Sequence, residues 1–135
     1  MQFKECYQNP FIEERADPYI TLGPDGFYYF TASYPMKSAD DKDGYDRVIL
    51  RRAKDISELA SAEEITIWKV ADTTLTHRFI WAPELHYIAG LWYVFYAGSE
   101  DKENNWAFDC HVLVCDSNDP YTGTWSEKGK FQKRE

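Results

Sequence analysis

An all-β fold made of repeated four-stranded antiparallel sheets is predicted by three features of this 135-residue sequence. Aromatic residues make up 17% of it, with 10 Tyr, 8 Phe and 5 Trp, and flat bulky side chains suit a pleated surface better than a helix. Short apolar runs are bounded by dense turn signals. The same order of runs and turns then occurs twice, with Val48 superposing on Val112 at an offset of 64 residues.

The first strand is Pro18-Tyr19-Ile20-Thr21-Leu22, ended by the turn residues Gly23-Pro24-Asp25-Gly26. Phe27 to Ser33 follows as an aromatic strand, so the two form a hairpin. A polar loop from about Lys37 to Asp46 leads to a third strand, Arg47 to Arg52, in which Val48 and Leu50 alternate with outward positions. Lys54 to Glu64 is short and mixed in pattern, and is expected to be an irregular connection to a fourth strand at Ile65 to Trp68. In the second half the order recurs: Glu84 to Ile88, a turn at Ala89-Gly90, Leu91 to Tyr96, a polar loop from about Ser99 to Asn105, and Cys110 to Cys115. The same offset sets Gly26 on Gly90, Tyr28 on Trp92, Tyr29 on Tyr93 and Asp55 on Asp119.

Recurring four-stranded sheets, each too small to bury its own faces, are the blades of a β-propeller. The reading is a partial propeller: one incomplete domain over residues 1–135, with blade one at about 16–70 and blade two at about 80–130. Two blades do not close a ring, which calls for further blades, other copies or a partner. A two-sheet sandwich matches the strand count but leaves the repeat without a cause.

Net charge is -8, from 23 acidic and 15 basic residues, which repels phosphate backbones and anionic lipid, so neither nucleic acid nor a membrane is an expected partner. Met1-Gln2-Phe3-Lys4-Glu5 lacks the apolar stretch of a secretory signal, pointing to a cytoplasmic chain unless a longer parent carries an export signal. Of the three cysteines, Cys110 and Cys115 lie five apart and should face opposite sides of a strand, as free buried thiols in a reducing compartment.

Asp17, in Arg15-Ala16-Asp17-Pro18-Tyr19-Ile20, precedes the first strand, the innermost of its blade, and its side chain would face the axial channel where ligands bind. The plainer alternative is a turn-initiating Asp before proline. A second candidate site lies at the matching place in blade two, Ile80-Trp81-Ala82-Pro83-Glu84-Leu85-His86. Period two puts Glu84, His86 and Ile88 on one face and Leu85 and Tyr87 on the other, so Glu84 and His86 either pair with each other or look into the channel. Trp81 is either core or a platform for a sugar C–H face. His77, His86 and His111 lack metal-ligand spacing, and no metal or cofactor is expected. The acidic stretches Asp40 to Asp43 and Glu100 to Glu103 read as solvated insertions, without the ligand spacing of a calcium loop.

Taken in order, Asn9-Pro10-Phe11-Ile12, Arg15 to Ile20, Tyr28 to Ser33, Tyr45 to Ala53, Trp81 to Tyr87, Trp92 to Ala97 and Asp116 to Trp125 resemble the N-terminal part of glycoside hydrolases of family 43. The likeness covers nearly the whole chain and points to the exo-acting α-L-arabinofuranosidase branch. It implies a five-bladed propeller that cleaves arabinose- or xylose-containing glycans with inversion. Such enzymes use a base Asp in blade one, a second Asp that tunes the acid, and a general-acid Glu. By this resemblance Asp17 is the general base, both other carboxylates lie past Glu135, and Glu84 is not the proton donor. Trp81, Ser33 and Tyr34 match regions that line the sugar pocket, and Glu84 and His86 are placed with them as substrate contacts. The axial cation of many members is held mainly from a late blade. The implied partner is an arabinose-containing oligo- or polysaccharide, and the chain alone is expected to be nearly inactive for want of an acid. The alternative is a non-catalytic half-propeller that forms a homo-oligomer through open blade edges.

Overall fold

The computed structural model describes residues 6–38, 44–72, 76, 78–100, 103 and 106–131. Among these residues eight strands form two four-stranded antiparallel sheets. One holds β1 (Ala16–Leu22), β2 (Tyr28–Ser33), β3 (Arg47–Ala53) and β4 (Ile65–Lys69). The other holds β5 (Arg78–Ile88), β6 (Leu91–Ser99), β7 (Phe108–Cys115) and β8 (Trp125–Lys130). Each sheet is a meander in sequence order, and these are the two blades of a partial propeller that the repeat predicts.

Three details depart from the sequence reading. β5 begins at Arg78, six residues before Glu84. β8 was not expected as a strand: Trp125-Ser126-Glu127-Lys128-Gly129-Lys130 has no apolar alternation, yet it pairs with β7 from Cys115↔Trp125 to His111↔Lys130. The connection before β4 is not irregular throughout. It holds a 3-10 helix, Ile56–Ala60, whose N-cap Asp55 accepts a hydrogen bond from Ser57 N at 2.8 Å. Asp119, its counterpart 64 residues on, accepts from Tyr121 N at 2.9 Å, so both aspartates make the same local bond.

The repeat has a slip at its hairpins. Leu22 faces Tyr28 across the first and Tyr87 faces Trp92 across the second, so the first turn is one residue longer. The offset is therefore 64 after the turn and 65 before it. Ala89 and Gly90, with φ of 50° and 88°, form the tighter turn, whose two left-handed residues match the twist of the strands.

The blades meet along one apolar seam. Tyr29, Val48, Leu50 and Trp68 from the first sheet join Ile80, Leu85, Trp92, Val94, Tyr96, Leu113 and Cys115 from the second. Trp92 is 0% exposed, packs edge-on against Tyr29 at 5.1 Å between ring centres, and donates its Nε1–H to Asn118 O at 2.9 Å. Farther out, Arg52 Nη1 bonds Asp119 Oδ1 at 2.8 Å across the same seam.

The outward sides of the blades differ. Blade one covers Phe30, Ala32, Ile49 and Ala53 with Leu59 of the 3-10 helix and with Phe11, Ile12 and Ile56. Arg15 and Arg51 hold this cover in place by pairing with Glu64, Arg51 Nε lying 3.1 Å from Glu64 Oε2. Burial pushes the Glu64 carboxyl up, but the two guanidiniums outweigh it and hold the group below the usual carboxylate range. On blade two, Ile88, Tyr93, Phe95, Val112 and Phe131 line an open cavity of about 360 Å³. Tyr93 and Val112 are the 64-residue counterparts of Tyr29 and Val48, which blade one buries in the seam.

Cys115 is buried, whereas Cys6 and Cys110 are exposed, so the expected buried thiol is realised at Cys115 alone. Glu100 is not part of a freely solvated insertion. Its Oε2 takes Lys130 Nζ at 2.6 Å, and Lys130 also reaches Asp109 Oδ2 at 3.2 Å, tying β8 to the β6–β7 connection. Asp40 to Asp43, His77, Asp101 and Lys102 lie outside the described residues.

His111 carries a pH dependence. Its ring is buried, stacks on Tyr96 at 5.2 Å, and has Nε2 3.2 Å from Gly98 O, while its buried Nδ1 makes no hydrogen bond among the described residues. Burial pulls the imidazole below its ordinary value, against Glu100, the Gly98 carbonyl and Asp109 and with a small push from Lys130. The folded form is therefore neutral, whereas the unfolded chain takes up a proton near about pH 6.5. Between those two values the unfolded state binds more protons, so stability falls as pH drops below about 6.5. Urea midpoints are expected to decline from neutral to mildly acid pH, and to decline less in His111→Gln.

Candidate functional site

The site is built on a bulge at the start of β1. Ala16 pairs with Ser33 and Tyr19 with Thr31, so Asp17 and Pro18 together oppose Ala32. Asp17 takes the left-handed conformation, φ 51°, which a short carboxylate side chain tolerates, and Pro18 fixes the residue after it. The carboxylate thereby leaves the in-and-out alternation and stands exposed at the end of the sheet.

It is held from behind by both blades. Ser33 Oγ donates to Asp17 Oδ2 at 3.0 Å and accepts from the Ala82 N–H of blade two at 2.7 Å. A hydroxyl has one proton; with an acceptor position filled by Ala82, that proton is directed at Asp17. Ser33 is fully buried. It lies behind the carboxylate, where it orients Asp17, and offers no surface to a substrate in these two blades. Tyr34, half-buried, has the guanidiniums of Arg15 and Arg47 over its ring at 4.2 and 4.4 Å, so its face is already occupied by cations.

Blade two repeats the bulge without the chemistry. Trp81 pairs with Ala97 and Glu84 with Phe95, so Ala82 and Pro83 oppose Tyr96, and Ala82 also has positive φ, 46°. The register sets Ala82 at the position of Asp17, Ala97 at that of Ser33, and Glu84 at that of Tyr19. The second candidate site therefore has no carboxylate at the Asp17 position: Ala82 stands there, and Glu84 lies two residues farther along β5. Glu84 and His86 share a face, as period two requires, and pair with each other, Oε2 to Nε2, at 2.9 Å. The His86 ring also packs on Tyr19 at 5.3 Å and Phe95 at 5.5 Å.

Trp81 lies at the centre of an aromatic cluster at this same end of the sheets. It stacks near-parallel with Phe108 at 4.4 Å and Phe79 at 5.2 Å, and meets Tyr45 edge-on at 5.6 Å. The contact that the sequence reading missed is the Ala82 N–H. Its signal was the repeated residue-proline pair, Asp17-Pro18 and Ala82-Pro83, 65 residues apart. Among the described residues no three His, Cys, Asp or Glu side chains gather as metal ligands.

Two meander blades joined along one seam define a β-propeller, or the part of one that these residues build. The model of Glycosyl hydrolases family 43 matches residues 7–135, and the chain belongs to that family. It is 43% identical over 125 residues to the extracellular exo-alpha-(1->5)-L-arabinofuranosidase of Streptomyces avermitilis, covering 93% of this chain and 24% of that protein. Against the enzyme of the same description from Streptomyces chartreusis it is 43% identical over 126 residues, covering 93% and 36%. The chain thus spans only 24% and 36% of the length of these relatives. The crystal structure of alpha-L-arabinofuranosidase from Lactobacillus brevis superposes with a TM-score of 0.78 at 40% identity, covering 93% of this chain and 39% of that one. A GH43_1 enzyme from Xanthomonas citri, at 19% identity and a TM-score of 0.64, shares the fold.

Proposed function

We propose that the chain supplies two blades and the general base of an inverting exo-α-L-arabinofuranosidase. The observation that carries this reading is the hydrogen-bonded line from Ala82 N–H through Ser33 to Asp17, which presents an oriented, exposed carboxylate. In the reaction, Asp17 takes a proton from the water that attacks the anomeric carbon. An acid about 6.5–9.5 Å away across the sugar protonates the leaving oxygen. Glu84 is engaged with His86 and is not assigned that role. The relatives' names favour a terminal arabinofuranosyl unit of an arabinose-containing glycan as substrate, with Trp81 walling the pocket. Two of those names include the word extracellular, which favours a secreted parent over a cytoplasmic one.

The test joins this chain to the remaining residues of the Streptomyces chartreusis relative and follows release of nitrophenol from 4-nitrophenyl α-L-arabinofuranoside. The fusion is expected to turn over and the chain alone to stay at background. Turnover by the chain alone would place an acid within these residues and overturn the assignment.

A second reading, a half-propeller that self-associates, is favoured by the open apolar face of blade two. Light scattering over a dilution series decides it: a mass that stays at one chain throughout counts against it.

A further inference from the structure

We propose that Trp106 is a stacking platform for an uncleaved pentosyl unit of the glycan whose neighbouring unit Asp17 serves, an inference that rests on the arabinofuranosidase reading above. Trp106 is 79% exposed, the most exposed of the large hydrophobic side chains among the described residues. A single exposed indole is unremarkable by itself. What sets this one apart is its support. Its ring meets Trp81 edge-on at 5.9 Å, and Trp81 is in turn stacked on Phe108 and Phe79, so Trp106 stands on the rim of a packed aromatic cluster.

The rim and the carboxylate belong to one frame. β5 begins where β6 ends, Trp81 pairing with Ala97, and the β6–β7 connection that carries Trp106 leaves from that end. The residue after Trp81 is Ala82, whose N–H holds Ser33 and through it Asp17. An indole has a π-face that suits the C–H face of a sugar ring, and one N–H for a hydroxyl. The net charge of -8 favours a neutral glycan over a sulfated or phosphorylated one.

The experiment follows the five indole N–H signals of the chain by ¹H–¹⁵N NMR during titration with α-(1→5)-linked arabinotriose, with Trp106→Leu identifying the Trp106 signal. The Trp106 and Trp81 signals are expected to move along one binding curve. Trp106→Leu, which keeps apolar bulk but has no π-face, should weaken binding about fivefold as read at Trp81, while Trp106→Phe retains most of it. If Trp81 moves and Trp106 does not, or if Trp106→Leu binds as the parent does, the platform is overturned and the arabinofuranosidase reading stands. If no indole moves, the platform is overturned, and nitrophenol release by the fusion decides the arabinofuranosidase reading separately.

Discussion

Asp17→Asn is expected to lower turnover of an active fusion by about 10²–10⁴-fold, the usual contribution of a general base. The substitution separates proton transfer from shape. Asn tolerates the left-handed backbone that Asp17 adopts, and its carbonyl oxygen still accepts the Ser33 hydroxyl, so the bulge and its tie to Ala82 persist. An amide does not take the proton of the attacking water. The loss should therefore fall on kcat with KM little changed, because nothing that holds the sugar is removed. Asp17 is exposed, so thermal unfolding of the variant should match that of the parent. A decrease of less than about tenfold, below what general-base loss brings, would put the base elsewhere.

Trp92→Ala is expected to cost about 3–5 kcal/mol, the range for removing a buried large aromatic side chain. Trp92 packs between Tyr29 of blade one and Tyr87 of its own blade, at 5.1 and 5.0 Å, and its N–H satisfies Asn118 O. Its loss opens a void in the seam and strands a backbone carbonyl. Domains are stable by about 5–15 kcal/mol, so the variant should lose cooperative unfolding or lie near its midpoint at room temperature. Leu91→Ala, at an exposed neighbouring position, serves as the control and should stay within about 0.5 kcal/mol of the parent. Urea titrations followed by circular dichroism measure both. A cost for Trp92→Ala near that of the control would mean that the blades do not share a core.

What was legible in the sequence was whatever has a short period. Alternation located seven of the eight strands, the Gly26 and Gly90 turns marked both hairpins, and the 64-residue repeat revealed the two blades. Features set by pairing between distant residues were not legible. Ser33 looks like any small residue at a strand end, because its partners lie 16 and 49 positions away. That Ala82 and not Trp81 stands at the place of Asp17 was not legible, because a single-residue difference in turn length is invisible until the register is known. The packing of Trp81 was not legible because nothing local announces Phe108, which comes to it from β7. β8 escaped notice since it joins by its backbone to β7 and contributes Trp125 alone to the buried cluster.

The contrast between the two outward sides of the blades favours one way for copies of the chain to meet. Phe11, Ile12 and Leu59 already cover the apolar residues on the outward side of blade one. The exposed side of blade two can find an apolar match in its own twin, about a two-fold axis. Contact of that kind uses up both surfaces at once, so it terminates in pairs.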